Sequence, residues 1–281
     1  MLAVAISLAA SLCWGSTDFL SGLASRRAGV PVVLLVVEGV GLMLVVAFAL
    51  VVAEPLPDAG VLAQATAAGV SGVTGLGLFF WALTLGKMSV VAPIAACGAV
   101  LPAVVGLATG DPFSGVLAAG LVCALLGIVL VSLEAEHEEE LRGGPAARRA
   151  IALALIAAVG MGGYYVLFDG VADESLPWGL AAARAVPVLG LAGIVVVRRL
   201  SRPDASARSL AVGAGVLDVS ATALYGVALT KGSLSVVSVV GSLFPLTTVV
   251  LARLLLGERL RRVQRVGIAF ALVGVALIAG A

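Results

Sequence analysis

Apolar stretches of about 20 residues alternate along this chain with short polar breaks. A helix of that length rises about 30 Å, the thickness of a bilayer's hydrocarbon core. The pattern predicts ten helical spans, over residues 2–24, 31–53, 60–85, 88–108, 113–133, 150–168, 177–197, 209–230, 233–256 and 262–280. A transmembrane β-barrel would instead alternate strictly in segments of about ten residues. The breaks, such as SRRAG, EPLPDAG, TGDP and KGS, carry the Pro and Gly expected at helix ends. Asp111–Pro112 reads as an N-cap followed by Pro at the first helical position. Residues 134–149, EAEHEEELRGGPAARR, form the one long hydrophilic stretch and read as a solvated linker. The fold class expected is an all-α integral membrane protein.

The pattern also contains a duplication. Residues 82–91 read ALTLGKMSVV and residues 228–237 read ALTKGSLSVV, identical at seven of ten positions. Pro31 and Glu38 recur as Pro177 and Arg184 at the same offset of 146, and Gly110, Gly120 and Gly127 recur as Gly257, Gly267 and Gly274 at 147. The predicted units are 1–133 and 150–281, joined by the linker, with five spans each. An odd number of spans places the second copy upside down relative to the first. Such inverted repeats are a transporter architecture, with the site at the midplane between the halves.

Charge supports that topology. Of the 17 Lys and Arg, 15 fall in or beside the loops after spans 1, 3, 5, 7 and 9, while Lys231 lies on the opposite face and Arg184 within a span. Basic loops face the cytoplasm, so both termini are expected outside. The N-terminus has no basic residue before its first apolar stretch, so that stretch reads as a retained span rather than a signal peptide.

Composition removes several classes. Hydrophobic residues make up 61% of the chain and charged residues 12%, against about 45–50% and 25% in soluble domains. The near-balance of charge, +1 overall, gives no reason to expect a nucleic-acid partner. Cys13, Cys97 and Cys123 lie in apolar stretches without CxxC spacing and read as small buried residues. The only histidine, His137, sits in the linker, so neither a metal nor another cofactor is expected.

Asp18, Glu38, Arg184 and Asp218 lie inside predicted spans. A charge at mid-bilayer costs about 2.5 kcal/mol or more, so such residues face a cavity or a partner. They are the candidate lining of a substrate or proton pathway. The alternative is a structural ion pair, such as Arg184 with Asp218. A carboxylate in low dielectric holds its proton more tightly, which would suit proton coupling. By the repeat, Glu38 matches Arg184 and Asp18 matches Tyr165. The aromatics Trp14, Trp81, Tyr164, Tyr165 and Tyr225 could stack on a substrate or simply pack, and Trp178 reads as an interfacial belt residue. Pro93, Pro102 and Pro245 interrupt spans 4 and 9 as candidate hinges, and Pro187 interrupts span 7. The run GVSGVTGLG at 69–77 suits close helix packing.

Trp14-Gly15 in the first span and FPLTTVVLARLLLGERLRRVQRVGIAFALVGVALI at 244–278 resemble the EamA domain. The family's proline, GE and glycine pattern is matched by Pro245, Leu246, Gly257, Glu258, Gln264, Gly267, Gly274 and Val275. The first copy keeps Pro102, Gly110, Asp111, Gly120 and Gly127. The resemblance spans the chain as two repeats and implies the drug/metabolite transporter superfamily. It implies ten helices around a central cavity and export of amino acids, metabolites or drugs. Many members carry an Arg in span 2; here Glu38 stands in that span.

The leading expectation is a secondary transporter in the cell membrane, moving a small organic solute outward by alternating access. Its partners would be that solute, the lipid bilayer and protons as coupling ion. A membrane scaffold without transport is the competing class, although buried charge in four spans argues against it. An intramembrane aspartyl enzyme is disfavoured because no YD or GxGD pair is present.

Overall fold

A computed structural model of the 281-residue chain describes residues 1–25, 27–85, 94–95, 97–132, 145–256 and 262–280. Eleven α-helices lie within these residues. They are α1 (Leu2–Ser25), α2 (Val30–Val51), α3 (Ala59–Leu85), α4 (Val100–Thr109), α5 (Gly115–Ser132), α6 (Pro145–Phe168), α7 (Val171–Val197), α8 (Ala205–Leu229), α9 (Leu234–Gly241), α10 (Phe244–Leu256) and α11 (Arg262–Gly280). A short 3₁₀ turn, Cys97–Ala99, leads into α4. By length and composition six of the helices, α1, α2, α3, α6, α7 and α8, can cross a membrane. The remaining apolar helices are shorter. The chain is thus an all-helical, multi-pass membrane protein.

Helix packing follows the duplication. The most extensive pairings are α3 on α6, α5 on α11 and α1 on α8, and the first and last of these exchange when the two copies are swapped. So do α2 on α8 and α3 on α7, while α2–α7 and α5–α11 each pair a helix with its own counterpart. Each half therefore completes the other, and the space between them lies at the shared axis. Small residues permit the close approach. A Cβ on Gly69 of α3 would overlap the carbonyl oxygen of Ala183, and one on Gly75 would stand 2.7 Å from the Met161 nitrogen. The recurring glycines Gly127 and Gly274 form the seam of α5 on α11, where an added Cβ would come within 2.5 Å of the Ala271 and Ala124 nitrogens.

Several sequence expectations need correction. The fifth span starts later than expected. Ser114, not Asp111, caps α5, its Oγ accepting from Leu117 N at 3.0 Å. Asp111 instead serves the other half, its Oδ2 accepting from Ser235 N at 2.8 Å at the start of α9. Gly110, at φ 115, makes the left-handed C-cap that turns Asp111 that way. The ninth span is two helices, α9 and α10, broken at residues 242–243. Pro245 is the second residue of α10 and Pro102 the third of α4. Both stand in a first turn, where proline removes no needed donor, rather than kinking a helix interior. Pro93 lies outside the described residues, as do His137 and Glu258. Pro187 is buried within α7.

A short helical segment from Val171 precedes the seventh span, and the non-helical Ser175 separates it from the long segment that starts close to the expected residue 177. Trp178 stands three residues past the non-helical Ser175 of α7. It lies inside α7, packs on the core around Tyr225 and donates its Nε1–H to the Glu54 carbonyl at 2.9 Å. The expected linker is shortened, because α6 starts at Pro145. None of the three cysteines is buried: Cys13 and Cys123 are partly exposed and Cys97 is exposed.

Candidate functional site

Arg184 is the centre of the site. It projects from α7 with only 6% of its side chain exposed, so its charge has to be met by protein groups. Its Nη1 donates to Glu38 Oε2 of α2 at 2.7 Å. Its Nη2 donates to Asp218 Oδ2 of α8 at 2.7 Å and to Thr222 Oγ1 at 2.8 Å. Thr222, one turn beyond Asp218, passes its own proton back to the Asp218 carbonyl at 3.1 Å. Asp218 and Thr222 share a face because α8 repeats every 3.6 residues. The ion pair expected between Arg184 and Asp218 is present, and the junction extends it to a third helix through Glu38.

Gly41 makes the junction possible. One helical turn from Glu38 on α2, it lies under the guanidinium, where a Cβ would stand 2.8 Å from Nη1 and 3.1 Å from Nε. The Nε itself is buried without a hydrogen-bond partner among the described residues. Neither Gly41 nor Thr222 was identified from the sequence. The i+4 spacing of Thr222 from Asp218 was the available signal.

The junction forms one wall of a cavity of about 130 Å³. Asp18, Glu38, Arg184, Asp218, Trp14, Tyr164 and Tyr165 all line it, so the structure brings seven of the expected residues to one place. Phe79, Phe244, Thr17, Ser21 and Met161, none of them expected, line it too. Asp18 has no hydrogen-bond or ion-pair partner among the described residues, in contrast to Glu38 and Asp218.

Two expected aromatics lie elsewhere. Trp81 is 45% exposed on the outer surface of α3, with the Arg149 guanidinium 5.0 Å from its ring centre. Tyr225 is fully buried behind the cavity wall and shares a 2.8 Å hydrogen bond with Ser238 Oγ. Its ring packs on Tyr165 at 5.0 Å and on Trp14 at 5.5 Å, tilted in both cases. Tyr164 extends the cluster by stacking on Phe168 at 5.4 Å. These separations and tilts suit aromatic rings whose edges meet neighbouring faces.

The halves are tied at several further points. Thr17 Oγ1 donates to the Ala214 carbonyl across α1 and α8, and Ser71 Oγ to Gly160 across the equivalent α3 and α6. Gln64 Nε2 donates to the carbonyls of Leu167 and Asp169, both at 3.0 Å. Ser175 Oγ donates to Glu54 Oε1 at 3.1 Å. Outside the helices, Asp169 has its pKa raised by partial burial and by the neighbouring charges of Asp111 and Asp173.

An all-helical membrane fold with a charged cavity between two matched halves defines a polytopic membrane protein built around an internal polar site. The sequence places it more closely. The model of the EamA-like transporter family matches residues 1–133 and again 148–280. The chain belongs to the EamA-like transporter family. A solved protein crystal structure is similar over 98% of this chain and 96% of its own, with a TM-score of 0.78 at 19% identity, a likeness of fold. No curated protein matches the chain in sequence.

Proposed function

We propose that this protein is a secondary transporter of small organic solutes, exporting them by alternating access through the cavity between its two halves. Ten spans would form two inverted five-helix repeats in the plasma or inner membrane, with the basic loops cytoplasmic and both termini outside. The observation that carries the reading is the meeting of Glu38, Arg184 and Asp218, from three helices and both copies, on the wall of one cavity. A scaffold needs no such junction, and buried ionic groups in a bilayer mark substrate and ion paths. Two equivalent, oppositely oriented halves can exchange conformations and so expose a midplane site to each side in turn.

The coupling ion in this reading is the proton, taken up by the cavity carboxylates. Purified protein in proteoliposomes, loaded with a metabolite mixture and given a pH gradient, should release selected solutes faster than protein-free vesicles. Asp218→Asn and Glu38→Gln should each uncouple that release from the gradient. Unchanged pH-driven flux in both variants would remove proton coupling, and no flux of any solute would favour the scaffold.

A further inference from the structure

The cavity holds an imbalance of charge. Its lining contributes three carboxylates, Asp18, Glu38 and Asp218, against one guanidinium. That guanidinium is committed, because both of its terminal nitrogens are bonded to the Glu38 and Asp218 carboxylates. Its remaining Nε is held over Gly41 and is buried. Among the described residues, the lining therefore offers a carboxylate or phosphate no positive group outside this buried junction. Asp18, in contrast, lines the cavity without a partner among the described residues.

Aromatic side chains complete the enclosure: Trp14, Phe79, Tyr164, Tyr165 and Phe244 all line the same space. Ring faces attract cations within about 6 Å, most strongly where water is excluded. A carboxylate among rings offers an ammonium group a counter-ion together with an apolar bed for its carbon body. An anion would meet Asp18 and the aromatic faces with nothing to offset either.

We infer that Asp18 and the aromatic wall form a binding site for small organic cations, recognising an ammonium group attached to an aromatic or apolar body. The assignment rests on the cavity being the transport site, and it narrows the solutes to this class. A zwitterion is disfavoured, because its carboxylate would have to break the Arg184 junction to find a partner.

The test is titration calorimetry on the detergent-purified full chain with three matched probes: phenethylamine, phenylalanine and hydrocinnamate. Phenethylamine should bind, phenylalanine should bind more weakly, and hydrocinnamate should give no heat above the detergent blank. Loss of a charge-assisted contact weakens binding about tenfold or more, so Asp18→Asn should do so for phenethylamine. Asp18→Glu should retain most of the affinity, which separates loss of charge from loss of fold. Equal phenethylamine affinity in wild type and Asp18→Asn overturns the assignment. Hydrocinnamate binding as tightly as the amine, or absence of amine binding to the wild type, does the same. Amine binding that depends on Asp18, with no amine flux in proteoliposomes, supports the site and sinks the transport reading instead.

Discussion

At the end of the molecule where α6 and α8 finish, five rings interlock: Trp14, Tyr164, Tyr165, Phe168 and Tyr225. At the end where α1 and α3 finish, the repeat places quite different residues. At its two offsets of 147 and 146 the repeat sets the small residues Ser21 and Gly22 against Phe168, and at 146 it sets Phe79 against Tyr225. The cavity lining runs on toward this second end through Ser21, Leu34 and Phe79. A scaffold whose helix pairs exchange under the duplication thus carries, among the described residues, a five-ring cluster at the end where α6 and α8 finish, while the cavity lining extends toward the other end. The helix frame is shared between the copies, while the cluster depends on side-chain volume at a handful of positions.

That comparison can be broken most severely at its middle. Arg184 joins α2, α7 and α8, and removing it leaves two carboxylates buried without a counter-ion. Loss of one partner from a buried ionic group costs about 3–5 kcal/mol. Arg184→Ala should therefore show a large fall in thermal stability in detergent, together with loss of solute flux. A near-wild-type melting temperature would show that the junction does not hold the halves together. Gly41→Ala should imitate part of that loss by pushing the guanidinium off its carboxylates.

A smaller change separates the two ends. Tyr225→Phe keeps the ring and deletes the hydrogen bond to Ser238. Such a bond is worth about 1 kcal/mol, so the population open at the aromatic end should rise about fivefold. Water-soluble maleimide labelling of a cysteine placed behind the cluster would report it. The matched change at the other end, Phe79→Tyr, should leave that labelling unchanged. Smaller still, Trp81→Ala removes an exposed cation–π contact worth about 0.5–1 kcal/mol and should leave solute binding unchanged. Loss of binding in that variant would bring α3's outer face into the path.

The smallest effect lies at the rim of the aromatic end. The folded pKa of Asp169 is raised, so its ionised form is disfavoured in the folded state. The stability of the wild type relative to Asp169→Asn is then highest below the unfolded pKa, and falls as pH rises through the folded one. Asp169→Asn should melt slightly higher than wild type near neutral pH and at the same temperature in acid. A variant less stable at neutral pH would show the side chain to be a net stabiliser.

The ionic part of the site was legible in the sequence because charge in an apolar span is expensive and therefore rare. Asp18, Glu38, Arg184 and Asp218 stood out for that reason alone, and all four line the cavity. The aromatics were harder to read. Trp81 and Phe79 sit two residues apart among apolar neighbours, and nothing in that composition says which faces inward. The break between α9 and α10 left a trace in Pro245, which restricts the residue before it, but Ser242 and Leu243 carry no signal of their own. Asp111 could not be assigned locally, since its bond reaches 124 residues along the chain to the other half.

The central claim is that the cavity is a transport site exposed to one end of the molecule at a time. Its most direct test uses single cysteines at Ser21, on the cavity lining, and Ser238, behind the aromatic cluster, with Cys13, Cys97 and Cys123 replaced. In proteoliposomes the two should be labelled by a membrane-impermeant maleimide from opposite sides. A transported solute should raise one rate as it lowers the other. Labelling of both from the same side, or two rates that rise and fall together, would contradict the account.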